Sequence, residues 1–544
     1  MDRRQFVAAV GGVALTASVS SAEEQAKEPG KTVSPASGSA PENAGARENT
    51  WLPLDWWHVE HQDNVELRQG RAEWVPDATY EDPTFDYLGF WPCVWQDAAS
   101  GQWRMLYFAT GIPLTLMGAE SDDGIHWRPM KRPDIKVTGE KYAPNHLFTL
   151  PSANGGPMYL DPVAADGKRF KFYAVQRGGA AAERARHDPN SYFHEIVTGE
   201  GVKSYLADNV MVTSADGFHW QLEPDARWGG PPWHPDPPVN CYYNHHRGEH
   251  VMITRPGWGD RRIAVQTSPD ARKWSNLELL MQPDPLDPPQ TQFYGMRVVP
   301  YADCYLGLLW TAHFRSSERL ERFNQLWGPI DCQLAYSYDG MNFQRGSREP
   351  LIPLNELGQP GGGVVYPTTV LEHDGQLRIY SGASRDLHHQ YVKSQFVRKG
   401  KQPPTAIIMH TLRKDGFMYL TSQGNWASLN TKPLALFSPE LRLNVLAPYG
   451  ELAFQVTDLL SKPIAGYTFE DCVPLKEVDA LDAPLRFRDK PDLRDLMNQP
   501  IRLQMKFRAA RIHAMRGQFH WLDALDVALL KDGKPIDREF FDFS

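Results

Sequence analysis

Cysteine is scarce and scattered. Five occur in 544 residues, at 93, 241, 304, 332 and 472, too few for the disulfide lattice that staples small secreted domains. Four fall in or beside strand-like segments and read as buried thiols; Cys304 and Cys332, in neighbouring strands, are the pair best placed for a bridge. Charge of one sign is lacking too. With 57 Lys and Arg against 66 Asp and Glu, the net charge is −9, which argues against an electrostatic nucleic-acid binder. Beyond the N-terminus no apolar run reaches the roughly 20 residues of a membrane helix, so no membrane insertion is expected once a leader is removed. Several catalytic signatures are absent: His-Glu-x-x-His, Gly-x-Ser-x-Gly, a phosphate-binding glycine loop and Cys/Ser-x-Pro-x-Arg. A zinc protease, an α/β-hydrolase, a nucleotide enzyme and a sulfatase are thereby excluded.

What is abundant is repetition. Ser121-Asp-Asp-Gly-Ile-His-Trp127 returns as Ser214-Ala-Asp-Gly-Phe-His-Trp220, Ser268-Pro-Asp-Ala-Arg-Lys-Trp274 and Ser337-Tyr-Asp-Gly-Met-Asn-Phe343, with a weaker echo at Leu412-Arg-Lys-Asp-Gly-Phe417. The Asp-Gly suits a tight turn, where Gly accepts positive φ and Asp bonds nearby backbone N–H groups. Each copy closes the same order of strand A, turn, strand B, variable loop and strand C. The central Asp residues, 123, 216, 270, 339 and 415, lie 54 to 93 residues apart. Blade-sized antiparallel sheets repeated with variable loops describe a β-propeller, here of five blades. The rival is a set of unrelated hairpins in a sandwich, which would not repeat one strand order five times.

The ends differ from the middle. Met1-Asp-Arg-Arg-Gln-Phe-Val7, an apolar run and Ser20-Ser-Ala22 read as an export signal over 1–22, of twin-arginine type through Arg3-Arg4, with an ordinary Sec signal as the alternative. Export to the periplasm or beyond follows from that reading. Residues 23–50 are Ala-, Glu-, Gly-, Pro- and Ser-rich and read as a disordered linker. The propeller is expected over 51–425. Short alternating strands over 426–515 fit a β-sandwich, and 516–544 reads as a C-terminal extension with a short helix. The expected class is all-β.

The Ser-x-Asp-Gly-x-x-Trp turns, Phe293-Tyr-Gly-Met, Asp331-Cys-Gln-Leu-Ala-Tyr-Ser337 and Leu412-Arg-Lys-Asp-Gly-Phe417 before Thr431-Lys-Pro resemble a group of exported bacterial proteins akin to glycoside hydrolase families 32 and 43. The resemblance covers roughly residues 55–510 and implies a five-bladed propeller joined to a β-sandwich. It also implies acidic residues around the central funnel and a carbohydrate substrate. The turn is similar to the Asp-box of sialidases, where that motif is structural and the blades number six.

Propeller geometry sorts the carboxylates. A–B and C–D turns share one face, so Asp97, Asp161 and the Asp-Gly turns should point away from the funnel. On the funnel face, Asp86 precedes strand A of blade I and Asp331 opens strand C of blade IV. Asp208 opens strand C of blade II, and Asp386 lies in the B–C loop of blade V. Glycoside hydrolysis needs two carboxyls across the scissile bond; Asp86 and Asp331 are the leading pair, with Asp386 in reserve. Bland alternatives stand beside them: Asp86 as a turn cap, Asp331 as a buried ion-pair partner. Glu318 and Glu321 sit in a charged run that reads first as a solvated face. Arg255, Trp258, Tyr294, His313, Arg385 and His388 are candidates to orient sugar. Trp56, Trp57, Trp91 and Trp233 could stack on sugars or fill the core. His245-His246 and His388-His389 are adjacent pairs whose side chains diverge on a strand, so no catalytic metal or other cofactor is expected. A structural Ca²⁺ is what the resemblance leaves open. The competing functions are a non-catalytic carbohydrate-binding propeller and a sialidase-like enzyme on acidic sugars.

Overall fold

A computed structural model describes residues 48–82, 90–109, 114–132, 134–135, 144–150, 153–177, 207–223, 225–226, 228–229, 235–256, 260–314, 328–388, 405–422 and 424–536. The expected leader and the expected linker up to residue 47 lie outside these residues; the linker's last two, Asn49 and Thr50, are not disordered but start a strand. The described chain is all-β: a five-bladed propeller followed by a β-sandwich.

Alternating apolar residues make the blades. Blade I pairs Phe90–Gln96, Trp103–Ala109, Leu114–Ser121 and Arg128–Pro129 in order, with His146–Leu150 added beside the third. Blade II runs from Ala153–Gly155 and Tyr159–Leu160 through Phe170–Arg177 and Ala207–Ser214 to Gln221–Glu223. Blade III is Pro235–Asn244, Glu249–Pro256, Ile263–Ser268 and Glu278–Met281. Blade IV is Thr291–Tyr301, Cys304–His313, Ile330–Ser337 and Gln344–Ile352. Blade V takes Val364–His373, Gln376–Ser384 and Thr405–Arg413 from late in the chain, and Glu73–Tyr80 from its beginning. That last strand closes the ring, with Tyr80 opposite Ile407 and Glu73 opposite Thr411. Blades V and I also meet at their inner strands, where Thr368 Oγ1 donates to the Pro92 carbonyl and Val94 N–H donates to Thr369 Oγ1.

The repeated turn is a backbone clamp. In the first copy Asp123 Oδ1 accepts from the N–H groups of Ile125 and His126 at 2.8 Å, and Ser121 Oγ accepts from Gly124 N–H at 3.0 Å. Asp216, Asp270 and Asp339 repeat the pattern. Gly124, Gly217 and Gly340 have φ of 75°, 83° and 74°, while Ala271 takes 57° in the copy without glycine. Burial alone would raise the Asp123 pKa. The bonds from the His126 ring, from these backbone N–H groups and from Ser121 outweigh it and hold the carboxyl well below its usual range. Three of the four turns also latch the neighbouring blade. Tyr380 Oη donates to Gly124 O at 2.9 Å, Tyr173 Oη to Ala271 O at 2.7 Å, and Tyr242 Oη to Gly340 O.

The fifth echo serves another purpose. Asp415 is 1% exposed. Its Oδ1 accepts from Tyr301 Oη in blade IV at 2.8 Å, and its Oδ2 from Asn444 Nδ2 at 2.8 Å and from the Arg516 guanidinium in the sandwich. The turn that ends the propeller is therefore the rivet between the domains.

The sandwich is one rolled nine-stranded sheet. Leu434–Thr457 bends from pairing with Arg511–Trp521 to pairing with Arg502–Arg508, enclosing Leu436, Leu443, Val445, Phe454, Met505 and Phe507. Expected boundaries shift. Val59–Asp63 and Val65–Gln69, counted with the propeller from sequence, pair in this sheet, as does Asn49–Trp51, whose first two residues were counted with the linker. Residues 516–521, assigned to the extension, finish its Arg511–Trp521 strand. Their alternation fits either layer, so only pairing decides. The helix is Ala524–Lys531, capped by Asp523. All five cysteines are free and buried, so Cys304 and Cys332 form no bridge. Among the described residues no helix is long and apolar enough to cross a membrane.

Candidate active site

The inner strands are irregular where they approach the funnel mouth. In blade IV, Phe293 faces Thr311 and Gly295 faces Trp310, leaving Tyr294 as the extra residue of a β-bulge. A bulge re-aims its side chain and is common beside functional sites. Gly295 permits it: a Cβ there would lie 2.6 Å from the Trp310 ring. The Tyr294 ring stacks on Tyr366 with centroids 5.2 Å apart and meets the His388 edge at 4.9 Å. The Arg255 guanidinium covers the same ring at 4.5 Å, and Arg261 lies at 5.6 Å and also 5.2 Å from Phe314. Such cation–π contacts strengthen when desolvated, and Arg255 is only 4% exposed. Three expected substrate residues, Arg255, Tyr294 and His388, thus converge from blades III, IV and V.

Asp331 and His313 form the second group. Thr311 faces Asp331 across the B and C strands of blade IV, which puts His313 on the diagonal. Its Nε2 lies 2.9 Å from Asp331 Oδ2. That hydrogen bond raises the His313 pKa, against a smaller opposing effect of burial. Asp331 is 7% exposed, and its Oδ1 has no hydrogen-bond partner among the described residues. A buried acceptor oxygen without a donor is costly in a purely structural role. Alternation places Asp331, Gln333 and Ala335 on one strand face, and Ala335 packs with blade III. Asp331 therefore tops the seam between blades III and IV. The partner of Asp331 is His313, where the bland alternative expected an arginine.

Blade V supplies the third group. The Arg385 guanidinium binds Glu81 and donates to Gly358 O at 3.0 Å. Asp386 is buried at 3% exposure, its backbone held by Ser384 Oγ at 2.8 and 3.1 Å. Beside Glu81, Asp82 is equally buried; its Oδ2 accepts from Tyr107 Oη and from Asn145 Nδ2 at 2.8 Å. Burial first, then the nearby Tyr80 and Asp82, push the Tyr107 hydroxyl well above its usual pKa, so it stays a donor.

Sequence reasoning missed Glu81, Asp82, Asn145, Arg261 and Tyr366. Glu81-Asp82 was visible only as the approach to Asp86, because the closing strand Glu73–Tyr80 that leads into it was not recognised. Asp86, Trp258, Trp233, Glu318, Glu321 and His389 lie outside the described residues, as does the Asp208 side chain. The turn assignments hold: Asp97 caps Ala99 and Ser100, and Asp161 Oδ2 accepts from Lys171 Nζ at 2.8 Å. Trp91 is core, while Trp56 and Trp57 are exposed just before a sandwich strand. His245 and His246 sit by Tyr243 and Tyr305 at a blade III A–B turn. Among the described residues no cluster of three or more His, Cys, Asp or Glu is placed to hold a metal.

The sequence matches no family model, and it matches no curated protein. Solved structures with a similar outline include a glycoside hydrolase at 16% identity and TM-score 0.36, covering 64% of this chain and 92% of that one. A thermostable family-43 glycoside hydrolase has 12% identity and TM-score 0.36, covering 62% and 93%. A family-32 β-fructofuranosidase of Bombyx mori has 11% identity and TM-score 0.35, covering 87% and 94%.

Proposed function

We propose that this chain is an exported glycoside hydrolase that cleaves a poly- or oligosaccharide at the propeller funnel. The observation that carries the reading is Asp331. It is a nearly buried carboxylate at the start of a C strand, with one oxygen held by His313 and the other without a donor among the described residues. Oδ1 is then available as nucleophile or base, while His313 fixes the carboxyl plane. The second carboxyl that hydrolysis requires is assigned to Asp86, with Asp386 in reserve. Tyr294 offers a ring face and hydroxyl, and Arg255, Arg385, His388 and Trp258 orient sugar hydroxyls. The Arg3-Arg4 leader supports export of the folded protein to the periplasm. No metal is given a role.

The near-complete burial of Asp386 favours a second reading, a propeller that binds carbohydrate without cleaving it. Turnover separates the two. A panel of aryl glycosides and polysaccharides is assayed with the wild type and the Asp331→Asn, Asp86→Asn and Asp386→Asn variants, each checked for folding by circular dichroism. Asp331→Asn is expected to lower kcat by about 10²–10⁴-fold, the usual contribution of a positioned acid or base, with substrate affinity kept. Full turnover in that variant removes the assignment; glycan binding without wild-type turnover supports the second reading.

A further inference from the structure

On the side of blade V away from the funnel, the A–B turn Asp374–Gly375, the segment Gly70–Arg71 and the sandwich residues Leu446 and Leu481 enclose a cavity of about 530 Å³. That is within the range of about 300–1,000 Å³ typical of small-molecule sites. His513 lines it. Asn444 pairs with Ala514 and Val445 with Ile512, so His513 is the unpaired residue of a β-bulge in its strand. The residue is 4% exposed, yet neither ring nitrogen has a hydrogen-bond partner among the described residues. Buried polar groups in native folds are almost always satisfied, so a donor and an acceptor are missing here. Burial, then Arg413 and Arg511, lower the His513 pKa to about 4; at neutral pH the ring presents one N–H and one acceptor nitrogen.

The surrounding charges narrow the ligand. Arg413 is spent on Asn444, Asp479 and the carbonyls of Val445 and Ala480. Arg71 and Arg511 line the cavity and form no ion pair among the described residues. Arg511 lies over the Tyr419 ring at 5.0 Å, and that ring meets His513 at 5.3 Å. Glu73, on the rim, is an acceptor for hydroxyl groups. A bare anion would satisfy the arginines but leave the His513 acceptor empty. A neutral sugar would do the reverse.

We infer that this junction cavity is a second, non-catalytic site for a hexuronate, its carboxylate on Arg71 and Arg511 and its hydroxyls on His513 and Glu73. The choice of a sugar acid among hydroxylated acids rests on the carbohydrate reading of the funnel; the cavity and its chemistry do not.

Saturation-transfer NMR with the full-length protein tests this, using D-glucuronate and D-galacturonate beside D-glucose and acetate at millimolar concentration. Either uronate should bind, acetate and glucose much more weakly, and Arg71→Gln and His513→Phe should each weaken uronate about tenfold, as loss of one hydrogen bond to a charged or buried group does. Arg71 is exposed, so its variant reads out binding even where His513→Phe fails to fold. Arg255→Gln, which removes a cation from the funnel, should leave binding unchanged once circular dichroism shows the variant folded, which separates this site from the funnel. No uronate signal, equal binding of acetate or glucose, binding that survives Arg71→Gln, or loss in folded Arg255→Gln each overturns the inference. Glycosidase activity, present or absent, does not bear on these outcomes.

Discussion

Replacing Asp415 with alanine should loosen the propeller from the sandwich. The carboxylate is 1% exposed and serves three donors: Tyr301 Oη, Asn444 Nδ2 and the Arg516 guanidinium. Arg516 is itself mostly buried and keeps Asp482 at 3.2 Å as its other acidic partner. Removing one member of a buried pair costs about 3–5 kcal/mol, because the partner charge stays desolvated; Asp482 places the expectation near about 3 kcal/mol. Asp415→Asn should cost less. Its oxygen can stay on Asn444 and Arg516 while its new N–H₂ donates to the Tyr301 hydroxyl, which can also accept. Urea unfolding followed by tryptophan fluorescence and far-UV circular dichroism measures the ranking. Asp123→Ala, a solvent-facing turn carboxylate, is the control and should cost about 1 kcal/mol. A loss for Asp415→Ala no larger than for Asp123→Ala would refute the rivet.

Other outcomes follow from the same contacts. The raised His313 pKa stabilises the fold fully below its ordinary value of about 6.5, and this is lost as pH rises through the higher folded value. His313→Gln should therefore cost more stability at pH 5.5 than at pH 9, read from urea midpoints; equal costs refute the pairing. Gly295→Ala forces a Cβ against Trp310 and Pro238, so it should destabilise by about 1–3 kcal/mol and change Trp310 emission. Tyr173→Phe and Tyr380→Phe each remove one latch and should cost about 1 kcal/mol in thermal unfolding, additively because they sit in different seams.

The propeller was legible because its signal is local. Ser121, Asp123 and Gly124 bond within one turn, so the motif survives as a contiguous word and its recurrence counts the blades. Arg255, Tyr294, His313, Asp331 and His388 were legible because propeller geometry sends loops and strand starts to one face. What stayed hidden is non-local. Glu73–Tyr80 has no feature that marks it as the outer strand of the last blade, and Glu81 and Asp82 were hidden with it. The fifth Asp-Gly echo was weaker because Asp415 answers to Tyr301, Asn444 and Arg516, residues 29 to 114 positions away. His513 went unnoticed since a bulge is a matter of register between two strands, which one strand's alternation does not record.

The strand that completes blade V is made first and its docking edge last. Tyr80 leaves the ribosome more than three hundred residues before Thr405, the start of its partner strand. Through that interval Ala78 and Tyr80, which end buried in the seam with blade I, have no edge to join. Synthesis therefore leaves this strand without its partner edge while more than three hundred further residues are made. A chaperone holding the first hundred residues would be guarding the clasp of the ring.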